Sequence, residues 1–143
     1  MRHRLFAHVV WTTRHRAPIL DAGIARFLDR FLRAIAREER AIVLELGIVC
    51  THVHVLVRYH PMTDLTRLIQ RLKGSSAAVA NKERHSSSGV PLLWCNGYSI
   101  DGVSPQAIAD ARAYVRALSN AVRKAQVAGQ AIDLAASEPL PTP

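Results

Sequence analysis

The segment at residues 48–58, IVCTHVHVLVR, constrains this chain more than any other. Its density of valine predicts a β-strand. A strand turns successive side chains to opposite faces, so His52 and His54 share one face while Val49, Thr51, Val53, Val55 and Val57 share the other. The valine face reads as core. The histidine face offers two imidazoles roughly 7 Å apart along the backbone, near enough to chelate one divalent ion if a third ligand or water completes the site. The plain alternative is a pair of half-exposed strand histidines with no ligand.

The remaining elements follow from periodicity and punctuation. Residues 4–13, RLFAHVVWTT, predict a first strand, and TRHRAP (13–18) a basic exit from it. Residues 21–40 predict a helix, with Asp21 as cap and Ile24, Phe27, Leu28, Phe31, Leu32 and Ile35 on one buried stripe. Residues 41–46 predict an extended neighbour of the histidine strand, with a bend or bulge at Gly47. Thr63 or Asp64 caps a second helix with the stripe Leu65, Leu68, Ile69 and Leu72, followed by a small-residue stretch over 74–91 and a loop around 86–89. Residues 91–100 predict a strand with a turn at Asn96–Gly97. Ser104–Pro105 opens a third helix with the stripe Ile108, Ala111, Val115, Leu118 and Val122. The order β-α-β-β-α-β-α suggests an α+β ferredoxin-like sandwich, an antiparallel sheet with helices. One domain over 1–128 and a flexible tail over 129–143 (…SEPLPTP) are expected.

Charge narrows the function. Lys plus Arg number 19 against 11 acidic residues, a formal +8, and only Lys73, Lys82 and Lys124 are lysines. Arginine's planar fork suits phosphate, so the balance points to nucleic acid. Arg14 and Arg16 at the first strand's exit, and Arg67, Arg71 and Lys73 on the second helix, are the candidate DNA contacts. The few aromatic residues, two of them in a helix stripe, argue against an RNA-stacking sheet. No apolar run approaches the roughly 18 residues of a membrane span, and the basic, then briefly apolar start, broken by His8, does not read as a signal peptide. Two isolated cysteines, Cys50 and Cys95, suit a reducing compartment, so cytoplasm is expected.

Tyr114 lies beside the apolar stripe of the third helix, where a tyrosine buries a ring edge and presents its hydroxyl. Taken together, HVVWTTRHRAPIL (8–20), THVHVLVR (51–58), LIQRLKGSSA (68–77) and LWCNGYSIDGVSPQAIADARAYV (93–115) resemble, in order and spacing, the single-tyrosine HUH transposases of insertion sequences and REP elements. The resemblance implies an HUH-type fold, and an enzyme that nicks and rejoins single-stranded DNA at hairpin-bearing ends through a 5′-phosphotyrosine. It implies Tyr114 as nucleophile and His52 and His54 as ligands of Mg²⁺ or Mn²⁺. It also implies single-stranded or hairpin DNA as partner, with homodimers known in the family. Tyr59 and Tyr98 are competing tyrosines. Where the family places a glutamine ligand one turn after the tyrosine, this chain has Leu118, which keeps open a relative that binds hairpins without cutting them.

Affinity for hairpin-bearing single strands should fall by ~10-fold or more between about 50 and 200 mM salt, because phosphate contacts release counterions. A flat salt response in a binding titration would remove the nucleic-acid reading.

Overall fold

The computed structural model describes residues 4–127, with side chains to residue 119. The elements run β1 (Leu5–Thr12), a short 3₁₀ turn (Arg14–Arg16), α1 (Ala22–Glu38), β2 (Ala41–Val49), β3 (His52–Tyr59), α2 (Leu65–Lys82), β4 (Ser99–Val103) and α3 (Ile108–Val127). The strands form one antiparallel sheet in the order β2-β3-β1-β4. β3 is thus inserted between β1 and β2, the split arrangement of a ferredoxin-like sandwich, with α3 added. The tail expected over 129–143, and its boundary at 128, lie outside the described residues. No helix among the described residues is long and apolar enough to cross a membrane.

One face of the sheet carries the main core. Val53, Val55 and Val57 of β3, Val9 and Trp11 of β1, and Leu46 and Ile48 of β2 pack against the stripes of α1 and α2. Each such fully buried aliphatic contributes about 1.5–3 kcal/mol. The opposite face carries His52, His54 and Leu56 and is overlaid by α3, whose Val115 is fully buried. Gly47 permits this approach: a Cβ there would stand 3.0 Å from the Val115 carbonyl oxygen and 3.2 Å from its Cγ1.

Several expectations are corrected. Residues 48–58 are not one strand. Cys50 and Thr51 form a tight turn joining β2 to β3, with Val49 paired to His52, so Val49 shares the histidine face instead of opposing it. The bulge lies at Leu44, not Gly47, since the register shifts between Val43 and Glu45. α2 continues through Gly74 to Lys82, because Ser76 and Ala80 keep a buried stripe going. Residues 91–98 are held mainly by side chains of α2, and apart from the Thr13–Trp94 bridge they form no strand. The Asn81 amide donates to the Leu92 carbonyl (2.9 Å) and accepts from its N–H (2.7 Å). Trp94 Nε1 donates to Ser76 Oγ (3.0 Å), and Lys73 Nζ donates to the carbonyls of Cys95 (2.8 Å) and Gly97 (2.6 Å). The last strand begins only at Ser99. α3 begins at Ile108, three residues later than Pro105, while Ser104 Oγ accepts from the Ala107 N–H (3.3 Å).

Asp21 does more than cap α1. One carboxylate oxygen accepts from the Ile24 N–H (3.0 Å), and the other accepts from Ser86 Oγ (3.1 Å), the Ser87 N–H (2.9 Å) and the Ser88 N–H (3.3 Å). Partial burial pushes its pKa up, and the bonds from Ile24, Ser88, Ser86 and Ser87 more than offset this, leaving it below 3.8. A depressed carboxyl stabilises the fold above its unfolded pKa, and that contribution is lost as pH falls through the folded pKa. Asp21→Ala should therefore cost about 1–3 kcal/mol near neutrality. Chemical denaturation should show the gap from wild type narrowing as pH drops below 3.8; a constant gap would refute the ionised cap.

Candidate active site

Strand register assembles the site. β1 pairs with β3 so that Val10 faces His54 and Thr12 faces His52. His8, Val10 and Thr12 therefore lie on the histidine face, because side chains directly opposite in a sheet share a side. His8 Nε2 lies 2.9 Å from His54 Nδ1 with the two rings stacked, centroids 5.1 Å apart. The His52 and His54 rings are also 5.1 Å apart, and Thr51 Oγ1 lies 2.8 Å from His52 Nδ1.

α3 brings Tyr114 to this cluster. Its ring stands edge-on to His54 (centroids 5.9 Å) and to His8 (6.3 Å), at 75° to each. Tyr114 is 43% exposed, so the ring is anchored on the histidines and reachable from solvent. Three elements that are remote in sequence thus meet at one point. His8 was not among the residues singled out from sequence. Its only signal there is a histidine inside an apolar strand, and only the β1–β3 register shows what it faces.

The histidines are not half-exposed: His52 is 1% and His54 4% accessible, because α3 covers them. Burial, with the neighbouring His8 and His52 adding to it, lowers the His54 pKa to about 3. His54 is consequently a neutral imidazole near pH 7, with ring lone pairs suited to ligation or hydrogen bonding. Among the described residues, no three His, Cys, Asp or Glu side chains are grouped to hold a metal ion. Leu118 is half-buried one turn after Tyr114, and its Cβ lies 3.5 Å from where a Gly47 Cβ would sit. It faces the sheet beside His54, since Gly47 is the β2 partner of His54.

The other tyrosines are elsewhere. Tyr59 packs against the α1–α2 core, and Tyr98 is exposed just after Gly97, whose φ is +87°. The candidate cations divide. Arg14 is exposed and Arg16 partly so, on the turn that leaves β1. Arg67 and Arg71 instead bond Glu39 at 3.1 and 2.9 Å, and Arg71 also reaches Glu38 at 3.5 Å. The bonds from Arg71 and Arg67 hold the Glu39 carboxyl below its ordinary range. Lys73, its pKa lowered by burial, anchors the 91–98 segment. Arg67, Arg71 and Lys73, singled out as DNA contacts, therefore have structural roles within the fold.

This fold and site have known counterparts. The profile of the family described as "Transposase IS200 like" matches residues 1–117. The ISDra2 transposase TnpA of Deinococcus radiodurans is 28% identical over 116 residues, spanning 79% of this chain and 83% of that protein. A crystal structure from Deinococcus radiodurans R1, described provisionally as a transposase, is similar with a TM-score of 0.61 at 25% identity, covering 82% of this chain and 93% of that one. A REP-associated tyrosine transposase bound to a REP hairpin is similar in fold, with a TM-score of 0.59 at 10% identity over 80% of this chain and 66% of that one. The chain belongs to the IS200-like transposase family.

Because the histidines are buried, His52→Ala and His54→Ala should each destabilise the fold by about 1–3 kcal/mol, leaving a gap under α3 and removing hydrogen-bond partners. Denaturant melts check this. Wild-type midpoints for both variants would mean that α3 does not cover the histidine face.

Proposed function

We propose that this protein is an active DNA transposase that nicks and rejoins single-stranded DNA at hairpin-bearing ends, with Tyr114 as the nucleophile. The observation that carries the reading is the placement of Tyr114 edge-on to His54 and His8, half-open to solvent. In the proposed step the Tyr114 oxygen bonds to the scissile phosphorus and the P–O3′ bond breaks. The phenolic proton leaves to solvent or base, and the departing 3′ oxygen takes up a proton as a 3′-OH. The product is a 5′-phosphotyrosine, and attack by a 3′-OH reverses the exchange, so the ester conserves the bond and rejoining needs no ATP.

His52 and His54 would hold a divalent ion, Mg²⁺ or Mn²⁺. The donor set fits: each Nδ1 is already engaged, with Thr51 and with His8, which directs Nε2 to a metal in the way ligand histidines are usually oriented. When bound, the ion would offset charge growing on the scissile phosphate, useful for a phenol whose ordinary pKa of about 10 makes it a poor nucleophile at neutrality. Ligands beyond the two imidazoles would come from water, which Mg²⁺ retains readily.

The +8 charge and the arginines of the β1 exit support single-stranded or hairpin DNA as the partner. β2 is an edge strand with Ile42 55% exposed, which suits pairing with a second copy. A reading as a hairpin binder that does not cleave is favoured by one observation. Leu118 occupies the position one turn after Tyr114, against Gly47, where a polar ligand would otherwise stand.

Labelled hairpin-bearing single strands with Mn²⁺ should give a covalent band on denaturing gels. Tyr114→Phe should abolish the band while DNA affinity stays within about 3-fold, since one hydroxyl is lost and the ring is kept. Tyr59→Phe and Tyr98→Phe should retain it. A band that survives Tyr114→Phe would overturn the nucleophile assignment. Tight binding by wild type with no adduct under any divalent ion would establish the binder.

A further inference from the structure

We propose that Glu45 is a positioning residue for Tyr114, setting from β2 the roll of α3 that lays the tyrosine against His8 and His54. The proposal rests on the reading of Tyr114 as nucleophile.

The bulge at Leu44 aims Glu45. Val43 faces the α1–α2 core, paired with Val57. With strict alternation Leu44 would face α3 and Glu45 the core. The extra residue shifts the register so that Glu45 pairs with Leu56, on the α3 side, while Leu46 and Ile48 return to the core. Bulges serve to re-aim a side chain in this way. A carboxylate is thereby placed under a helix, with its side chain only 14% exposed.

Two arginines of α3 close on it. Arg112 Nε donates to Glu45 Oε1 at 3.3 Å, and Arg116 Nη2 donates to the same oxygen. One turn further, Ser119 Oγ donates to the Leu46 carbonyl (2.6 Å). Partial burial pushes the Glu45 carboxyl up, and Arg116 and Arg112 more than reverse this, leaving it below its ordinary range. It is therefore a carboxylate at neutral pH.

Helix geometry couples this grip to the tyrosine. At about 100° per residue, Arg112, Arg116 and Ser119 cluster on one flank of α3, Val115 points into the sheet, and Tyr114 lies about 200° from Arg112, on the other flank. Val115 over Gly47 is the fulcrum. Rolling the helix about that contact lifts or lowers Tyr114 over the histidines, and the Glu45 pairs fix the roll. Among the described side chains of its apolar stripe Val115 alone is fully buried, and that single contact would define the roll poorly by itself.

The test uses the full chain with three variants: Glu45→Gln, Glu45→Lys, and the triple reversal Glu45→Lys, Arg112→Glu, Arg116→Glu. Glu45→Gln and Glu45→Lys should raise amide exchange within residues 108–119 by about 10-fold or more while α1 and β3 keep their protection. The single-turnover adduct rate at saturating hairpin DNA should fall by about 10- to 100-fold, the scale of a small misplacement of a reacting group, with DNA affinity within about 3-fold. The triple reversal should restore both α3 protection and rate to within about 3-fold of wild type. Unchanged exchange in α3, an unchanged rate despite loosened α3, or failure of the reversal to restore either would overturn the proposal. If wild type forms no adduct, the nucleophile reading falls separately, and the exchange measurement alone decides whether Glu45 holds the helix.

Discussion

The structure depends on β3 being covered on both faces. Below, Val53, Val55 and Val57 close the core with α1 and α2; above, α3 lies over His52, His54 and Leu56. A strand buried on both sides has no solvent to satisfy its polar side chains, so the histidines must find partners within the protein. They do so through Thr51 and His8. The same burial that makes the histidines costly holds them fixed and keeps His54 neutral, the state that proton-free ligation or tight packing requires. The proposed function and the stability therefore draw on one contact, the seating of α3 on the sheet.

That seating is built from small features. Gly47 removes the Cβ that would hold α3 away. The extra residue at Leu44 turns Glu45 towards the helix, and Glu45, Arg112, Arg116 and Ser119 give the contact a polar edge opposite the tyrosine. On the other side of the sheet, α2 uses Lys73, Ser76 and Asn81 to hold residues 91–98 against β1. The segment between α2 and β4 is thus fixed largely by side-chain bonds, which explains how it runs beside the end of β1 without forming a strand.

What the sequence made legible were the features carried by local pattern. The Asp21 cap, an α2 cap at Thr63 or Asp64 (it is Asp64), the α1 stripe, the α+β order and the shared face of His52 and His54 all follow from local spacing. Features that depend on pairing were not legible. His8 joins the site only through the β1–β3 register. The bulge at Leu44 ends a run of consecutive aliphatics, Ala41 to Leu44, with no glycine at the bulge itself to mark it, and the Cys50–Thr51 turn lacks the Asn-Gly signal of a tight hairpin. Arg67 and Arg71 looked like phosphate contacts because their partners, Glu38 and Glu39, lie 28 to 33 residues away. Charge composition shows how many cations a chain has, and only the fold shows which are already paired.

Tyr114, delivered by α3, is the residue proposed to become bonded to DNA. Trypsin should release residues 113–116, AYVR, as a peptide with Tyr114 as its only tyrosine. Mass spectrometry of the nuclease-trimmed, trypsin-digested adduct is the most direct measurement. This peptide should carry the mass of a nucleotide, with fragmentation placing it on Tyr114. A nucleotide found on the peptide bearing Tyr59 or Tyr98, with residues 113–116 recovered unmodified, would contradict it.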